Sequence, residues 1–495
     1  MRNTINENDS VINKQALVVA HLSSFLVLLY SVSMLPPLFV AIFFKERCMF
    51  SFLYTAVIAN VCGGLGWYLT RQSKEQPRTR DGFLIIVLFW LLFSCISALP
   101  FWIDKTLNIS LTDAMFEGIS GITTTGASIL NDVTHVPKSF LYYRAQLNFI
   151  GGLGVIVLAV AVLPLLGIGG AKLYQSEMPG PFKEERLTPR LADTSKSLWL
   201  IYSGLGLLCC TAFYLAGMPW FDAICHGLST VSLGGFSTKN ESLGGFDSAA
   251  VEIVGGVFSI LAAINFTLYF TSFGCRSLVP LYKNAELRFF LFVLSIITLI
   301  VCLGLSHSGM FNAKGSLVHG FLLTSSMMTD NGLAIADYAS LPSHTIMLLL
   351  VSSFFGGCIG STCGGIKALR FLIMYKQSRH EINQLIHPYA IYSIKVGETK
   401  VPDRVLHSVW SFFFLYVFFS GIFMLLLIFM GYDIMTAFAT VAACINNMGL
   451  GFGETAAGFG ALSSSAKWLM CAAMLLGRLE IYPILILCSR TFWRF

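Results

Sequence analysis

Residues 112–127 read TDAMFEGISGITTTGA, and three further segments share that layout: FDAICHGLSTVSLGGF at 221–236, VHGFLLTSSMMTDNGL at 318–333 and MTAFATVAACINNMGL at 435–450. Each is a short apolar segment, too brief to cross a bilayer, followed by a glycine in a polar cluster. With Gly126, Gly235, Gly332 and Gly449 set in register, Asp113, Asp222, His319 and Thr436 fall thirteen positions earlier, followed by the small residues Ala114, Ala223, Gly320 and Ala437. Six positions before the glycine stand Ser120, Ser229, Ser326 and Ala443. Asp and Thr are favourable N-caps, so the pattern predicts short helices that start at one offset and stop before the glycine; His319 breaks the rule. The copies lie about one hundred residues apart and share little identity.

Long apolar runs flank every copy. Spans are expected at 82–104 and 140–173, 194–217 and 247–281, 287–310 and 343–376, and 405–430 and 464–490, preceded by 16–44 and 50–70. The composition agrees: 55% of the 495 residues are hydrophobic, 12% are charged, and the mean hydropathy is +0.73. A soluble domain carries about 25% charged residues. The expected fold is an all-α integral membrane protein. An N-terminal two-helix unit, 1–80, precedes four pseudo-repeated helix, re-entrant loop, helix units at 81–190, 191–284, 285–404 and 405–495 around one pore.

The polar start of the chain and a long first apolar run without a small-residue cleavage site argue against a signal peptide. Basic residues gather in four connections: Arg71 to Arg80, Lys172 to Arg190, Arg276 to Arg288, and Lys376 to Arg404. The positive-inside rule places all four, and with them both termini, in the cytoplasm. Divided among short loops, this charge forms no stripe for nucleic acid. Thirteen scattered cysteines show neither a disulfide framework nor a zinc spacing and read as small buried hydrophobes. No HExxH, paired intramembrane histidines or nucleotide fingerprint is present, so an enzyme is not expected.

A cation sheds water only where oxygens replace its hydration shell, and four converging loops of backbone carbonyls can do this. Glycine adopts the required backbone angles cheaply, and helix C-termini aimed at a cavity favour cations. The candidate filter is therefore Thr124, Thr125 and Gly126; Leu233, Gly234 and Gly235; Asp330, Asn331 and Gly332; and Asn447, Met448 and Gly449. The competing reading of any single glycine is close helix packing. Thr123 to Thr125, Asn446 and Asn447 either ligate the ion or brace the loops; Asp330 either attracts cations or pairs locally.

Within the third unit, GGCIGSTCGGIK at 356–367 places Gly356, Gly357, Gly360, Gly364 and Gly365 in an apolar run. Each interior glycine costs a helix about 1 kcal/mol, which predicts an unwound intramembrane loop. Arg478, in GRLEIYPILIL, is a charge within a span; it reads as a positive barrier in the path, or else as paired with Glu480 or a loop carbonyl. Lys367 and Arg370 are expected at the cytoplasmic interface.

These stretches resemble the Trk-type potassium uptake proteins of bacteria, the TrkG and TrkH family within the wider Trk, Ktr and HKT superfamily. Residues 151–183, GGFST at 234–238, HPYAIYSIKVG at 387–397 and CINNMGLGFGE at 444–454 carry the likeness together with the glycine loop and the Arg478 segment. The resemblance implies gated potassium uptake, potassium being the only ion or cofactor, with the filter glycines as above, the glycine loop under the filter and Arg478 constricting the pore. A proton- or sodium-coupled potassium symporter on the same scaffold is the alternative. It also implies a homodimer in the inner membrane, gated by cytoplasmic TrkA-type nucleotide-binding subunits that would hold any nucleotide. Their docking surface would be Tyr174–Arg190 and Gln377–Arg404. Cys363 stands where a third consecutive glycine is common in such proteins, and Asp330-Asn331 where Thr and a small residue are common.

Overall fold

The structure, a computed structural model, describes residues 2–71, 79–161, 187–336, 338–389 and 393–493. Lys74, Arg78, Lys172, Lys183, Arg186 and most of the expected docking segment Tyr174–Arg190 lie outside the described residues.

The first span is Arg2–Val32 continued by Leu35–Phe43, broken where Pro36 and Pro37 occupy the first turn of the second piece. Proline is tolerated in a first turn, whose N–H groups have no partner within the helix anyway. Met49–Thr70 packs antiparallel to the first helix along small residues: an added β-carbon on Gly66 would lie 2.4 Å from Ser24 Oγ, and one on Gly63 3.0 Å from Leu28. Here the close-packing reading of glycine holds.

Helix, short helix, helix then recurs four times. The first unit is Thr79–Ile103, Leu111–Ile122 and Lys138–Ala161. The second is Leu187–Leu215, Trp220–Val231 and Ala249–Ala262 with Phe266–Gly274. The third is Ala285–His307, Ala313–Met328, and Ser343–Ser353 followed after an irregular loop by Ala368–Ile386. The fourth is Asp403–Phe429, Ile434–Ile445 and Ser464–Arg478 with Tyr482–Cys488. Six described helices are long and apolar enough to cross a bilayer. The expected continuous spans 247–281 and 464–490 are instead bent, by 81° and 109°. Asn265 caps the second half of the first by accepting from the Thr267 N–H; Glu480 and Ile481, both at positive φ, end the first half of the other. The described strands are one two-residue hairpin, Lys395–Val396 against Thr399–Lys400.

The first, second and fourth short helices start one turn earlier than the sequence pattern predicts, and the third starts two turns earlier. Their N-caps are Ser110, Pro219, Asn312 and Asp433, not Asp113, Asp222, His319 and Thr436. Asp113 lies in the first turn instead, and its N–H is capped by Ser110 Oγ while its carboxylate accepts from that hydroxyl. The third short helix is 16 residues long where the others have 12, which leaves His319 mid-helix, 2.7 Å from Glu252.

Packing between units is cyclic. Trp220–Val231 leans on Lys138–Ala161, Ala313–Met328 on Ala249–Ala262, Ile434–Ile445 on Ser343–Ser353, and Leu111–Ile122 on Ser464–Arg478. Each short helix thus rests on the second helix of the unit before it, and the last unit rests against the first. Lys467 Nζ bonds Asp113 Oδ1 at 2.6 Å across that closing seam.

A buried ion pair within the first unit also reaches the second through its arginine. Arg144 Nε lies 2.7 Å from Glu117 Oε1, and Glu117 also accepts from Ser128 Oγ and the Ile129 N–H. The same guanidinium stacks on Phe236 at 4.1 Å and donates to the Ser237 carbonyl. Replacing Arg144 by Met leaves the Glu117 carboxylate buried and unpaired, at a cost of about 3–5 kcal/mol. The detergent-purified Arg144→Met variant should therefore unfold at a clearly lower temperature than the wild type, and an unchanged midpoint would show the pair to be dispensable.

Candidate functional site

All four short helices end in the same way. Two positions before each glycine, Thr124, Leu233, Asp330 and Asn447 adopt left-handed backbone angles, with φ of 55°, 55°, 59° and 57°. The next N–H, on Thr125, Gly234, Asn331 and Met448, reaches back to the carbonyls of Ser120, Ser229, Ser326 and Ala443 at 2.8 to 2.9 Å. This paired closure of a helix C-terminus normally recruits glycine at the left-handed position. Here four side-chain-bearing residues take it, and the glycine two places on is left-handed as well, with φ of 77°, 68°, 72° and 79°. The chain turns sharply twice, and the helix ends with their partial negative charge face the turns.

The turns form a closed ring. An added β-carbon on Gly126 would lie 2.0 Å from the Gly234 carbonyl oxygen; on Gly235, 2.1 Å from that of Asn331; on Gly332, 2.1 Å from that of Met448; and on Gly449, 2.0 Å from that of Thr125. Each glycine abuts the next loop's peptide oxygen, and the fourth abuts the first. All twelve candidate filter residues, Thr124 to Gly126, Leu233 to Gly235, Asp330 to Gly332 and Asn447 to Gly449, fall on these four turns. A ring of peptide oxygens held this way offers a dehydrated cation a replacement for its water.

The polar side chains around the ring largely brace it. Thr123 and Thr125 hydroxyls meet at 2.7 Å, Asn447 Nδ2 donates to Thr125 Oγ1 and the Met474 carbonyl, and Asn446 Nδ2 donates to Ser353 Oγ while its Oδ1 accepts from Tyr416. On the exposed loop after the first turn, Asp132 accepts from Thr134 and from Asn240 of the second unit, and these hydrogen bonds hold its carboxyl below the ordinary carboxylate range.

The glycine segment of the third unit is an unwound loop, as expected, from Phe354 to Lys367. Gly356, Gly360 and Gly365 have φ of 65°, 79° and 65°. An added β-carbon on Gly364 would lie 1.8 Å from the Asn446 carbonyl oxygen, and one on Gly365 3.1 Å from Asp330 Oδ2, so the loop presses on the third and fourth turns. Thr362 Oγ1 donates to the Val231 carbonyl at the end of the second short helix. The break in the second unit holds the loop's other side: Cys358 N–H donates to Ala263, and Gly360 accepts from the Phe266 N–H. Cys363 Sγ fills the space where a β-carbon on Gly357 would sit, which is how a thiol is accommodated in a run of glycines.

Arg478 is 5% exposed and ties this loop to the first unit: Nη1 donates to the Thr362 carbonyl and Nη2 to that of Gly151. The carbonyl pairing is the arrangement found, whereas Glu480 pairs with Arg370. Lys367 and Arg370, expected at the interface, are buried instead, Lys367 donating to the Cys363 carbonyl and Arg370 to that of Ile366. Sequence reasoning named Thr124, Leu233, Asp330 and Asn447 but not their left-handed angles, and it missed Thr362 and Gly151 as partners of Arg478, since backbone angles at non-glycine positions and distant carbonyl partners leave no compositional trace.

A helical membrane protein whose four pseudo-repeats enclose one ring of peptide oxygens, crossed by an unwound loop, is the class that fold and site define. The family model for TrkH, described as a cation transport protein, matches residues 49–494. The chain is 63% identical over 477 residues to the Trk system potassium uptake protein TrkG of Escherichia coli strain K12, covering 96% of this chain and 98% of that protein. It is 44% identical over 473 residues to TrkH of Vibrio parahaemolyticus, covering 95% of this chain and 97% of that protein. The crystal structure of the potassium transporter TrkH from Vibrio parahaemolyticus matches with a TM-score of 0.90 at 41% identity, over 97% of this chain and 100% of that one. This chain belongs to the TrkH family of cation transport proteins. Its relatives are transporters, not enzymes.

Gly126→Ala and Gly332→Ala each set a β-carbon against a neighbouring turn and strain a left-handed residue, whereas a β-carbon on Gly204 meets nothing within 4 Å among the described residues. Both ring variants should lower the unfolding midpoint, and Gly204→Ala should not. Equal midpoints across the three would show that the ring is loose.

Proposed function

We propose that this chain is the ion-conducting subunit of a bacterial potassium uptake system, passing potassium through the ring formed by the twelve filter residues. The observation that carries the reading is the cyclic contact of each ring glycine with the next loop's peptide oxygen. Only four loops around a common axis close in this way. The printed names of the relatives, potassium uptake proteins of Trk systems, supply the ion.

Control falls to the glycine loop and Arg478. The loop touches the second, third and fourth turns, and the guanidinium fastens it to the first unit through the Gly151 carbonyl. A positive charge in a cation path raises the barrier to passage. The path opens when the loop swings from under the ring and carries the Thr362 carbonyl away from Arg478. Support for partners comes from the family resemblance: a homodimer in the inner membrane with both termini cytoplasmic, and TrkA-type nucleotide-binding subunits docked on the basic connections, where Gln377–Arg404 includes the small hairpin.

Uptake of rubidium into liposomes holding the purified chain tests this reading. Wild-type protein should admit rubidium and potassium, Gly235→Asp should abolish uptake, and Arg478→Ala should raise it severalfold. Retained flux in well-folded Gly235→Asp would refute the filter; unaltered flux in Arg478→Ala would refute the barrier. Reversal of the flux under imposed proton or sodium gradients would show coupling instead of passive conduction.

A further inference from the structure

Among the four equivalent left-handed positions Thr124, Leu233, Asp330 and Asn447, one alone carries a formal charge. Asp330 is 0% exposed, and among the described residues neither carboxylate oxygen has a hydrogen-bond partner. Its Oδ2 faces the glycine loop: the point where a β-carbon on Gly365 would sit lies 3.1 Å from that oxygen and 3.1 Å from the Ser353 carbonyl. Asn331 Oδ1 on the same turn and Asn447 Oδ1 on the fourth turn are likewise buried without a hydrogen-bond partner among the described residues.

Lys367 and Arg478 lie close enough to act on Asp330 through space, but the hydrogen bonds of the basic side chains of the loop and its surroundings go to other groups, and Arg478 Nε has no partner among the described residues. Lys367 donates to Cys363, Arg370 donates to Ile366 and pairs with Glu480, and the Arg478 Nη atoms donate to Thr362 and Gly151. A carboxylate withdrawn from water and given no donor is among the least favourable arrangements a side chain can take. A positive partner removes that penalty, and the ring beside it is the place from which a mobile cation would arrive.

We propose that Asp330, between the ring and the glycine loop, is a side-chain binding site for a dehydrated monovalent alkali cation that holds lithium and sodium more tightly than potassium. The assignment rests on reading the ring as a cation path. A carboxylate oxygen carries formal charge where a carbonyl carries only a dipole, and Coulomb attraction grows as a smaller ion approaches more closely. The neutral carbonyls of the ring present a weaker field, so the two sites differ in the ion they favour. Lys367 and Arg478, both buried close to the loop, disfavour a divalent ion there. The consequence is competition: sodium lodged at Asp330 hinders the passage of potassium or rubidium.

Two measurements on the full-length chain test this. In liposomes, the sodium concentration that halves rubidium uptake should rise at least about tenfold in Asp330→Asn, as removal of a formal charge from a desolvated ligand implies. An unchanged half-inhibitory concentration overturns the proposal. In detergent, sodium or lithium chloride should raise the unfolding midpoint of the wild type saturably above its value in potassium or choline chloride, because a ligand bound only by the folded state stabilises it. Asp330→Asn, or Asp330→Thr, which installs the residue found at the matching first-unit position, should lose that rise. Absence of the rise in the wild type, or its persistence in a cooperatively unfolding variant, shows that a tethered cation or a proton satisfies the carboxylate and overturns the site. Should wild-type liposomes admit no rubidium while the sodium-specific rise is present and depends on Asp330, the transport reading fails and the binding site stands.

Discussion

Four glycines hold this molecule in its arrangement because nothing larger fits between a turn and its neighbour's peptide oxygen. At Gly126, Gly235, Gly332 and Gly449 a β-carbon would lie 2.0 to 2.1 Å from the oxygen of the next loop, far inside van der Waals contact. The loops can approach so closely only because each short helix is propped by the second helix of the preceding unit. Backbone strain in eight left-handed residues, four of them bearing side chains, is sustained by that surrounding packing. The glycines permit the ring and the helices impose it.

The loop beneath the ring depends on the same geometry. Its contacts reach the end of the second short helix, the third and fourth turns, and through Arg478 the first unit, so each of the four repeated units is linked to it. The breaks in the second, third and fourth units lie where the loop and Arg478 require them. Ala263 and Phe266 at one break hold the loop by backbone hydrogen bonds, and Glu480 and Ile481 at another end the helix immediately after Arg478. Interrupted helices are tolerable in a membrane protein where the freed backbone groups find partners, and here they find one another.

Much of this was legible in the residues. The apolar runs located six long spans but not the bends in two others, the recurring glycine gave the repeat, and the glycine cluster at 356–365 gave the unwound loop, because length, periodicity and glycine content are local properties. The N-caps were misplaced by about a turn because Asp113, Asp222 and Thr436 are favourable in the first turn as well as at the cap, and tertiary contacts choose between the two. The bends at Ala263–Asn265 and Leu479–Ile481 left no glycine or proline signal within the break, and Lys367 and Arg370 read as interfacial because nothing local reveals that a bent helix and a loop will enclose them. The side chains of Thr125, Asn446 and Asn447 were ambiguous for a similar reason: whether an amide braces or ligates is decided by partners hundreds of residues away. Asp330 remained the residue whose environment, once seen, answers least like its neighbours.

Closure of the ring places a demand on biogenesis. The seam that completes it joins Asp113 to Lys467, 354 residues apart, Thr125 to Asn447, 322 apart, and Gly151 to Arg478, 327 apart. A chain emerging from the ribosome exposes the first turn long before the residues that flank it exist, and loop-closure entropy must be met before such distant contacts contribute anything. Until the final hairpin is inserted, the newborn first unit has one bare flank in the bilayer, which makes the interval before termination the period in which chaperones and membrane proteases have most to grasp.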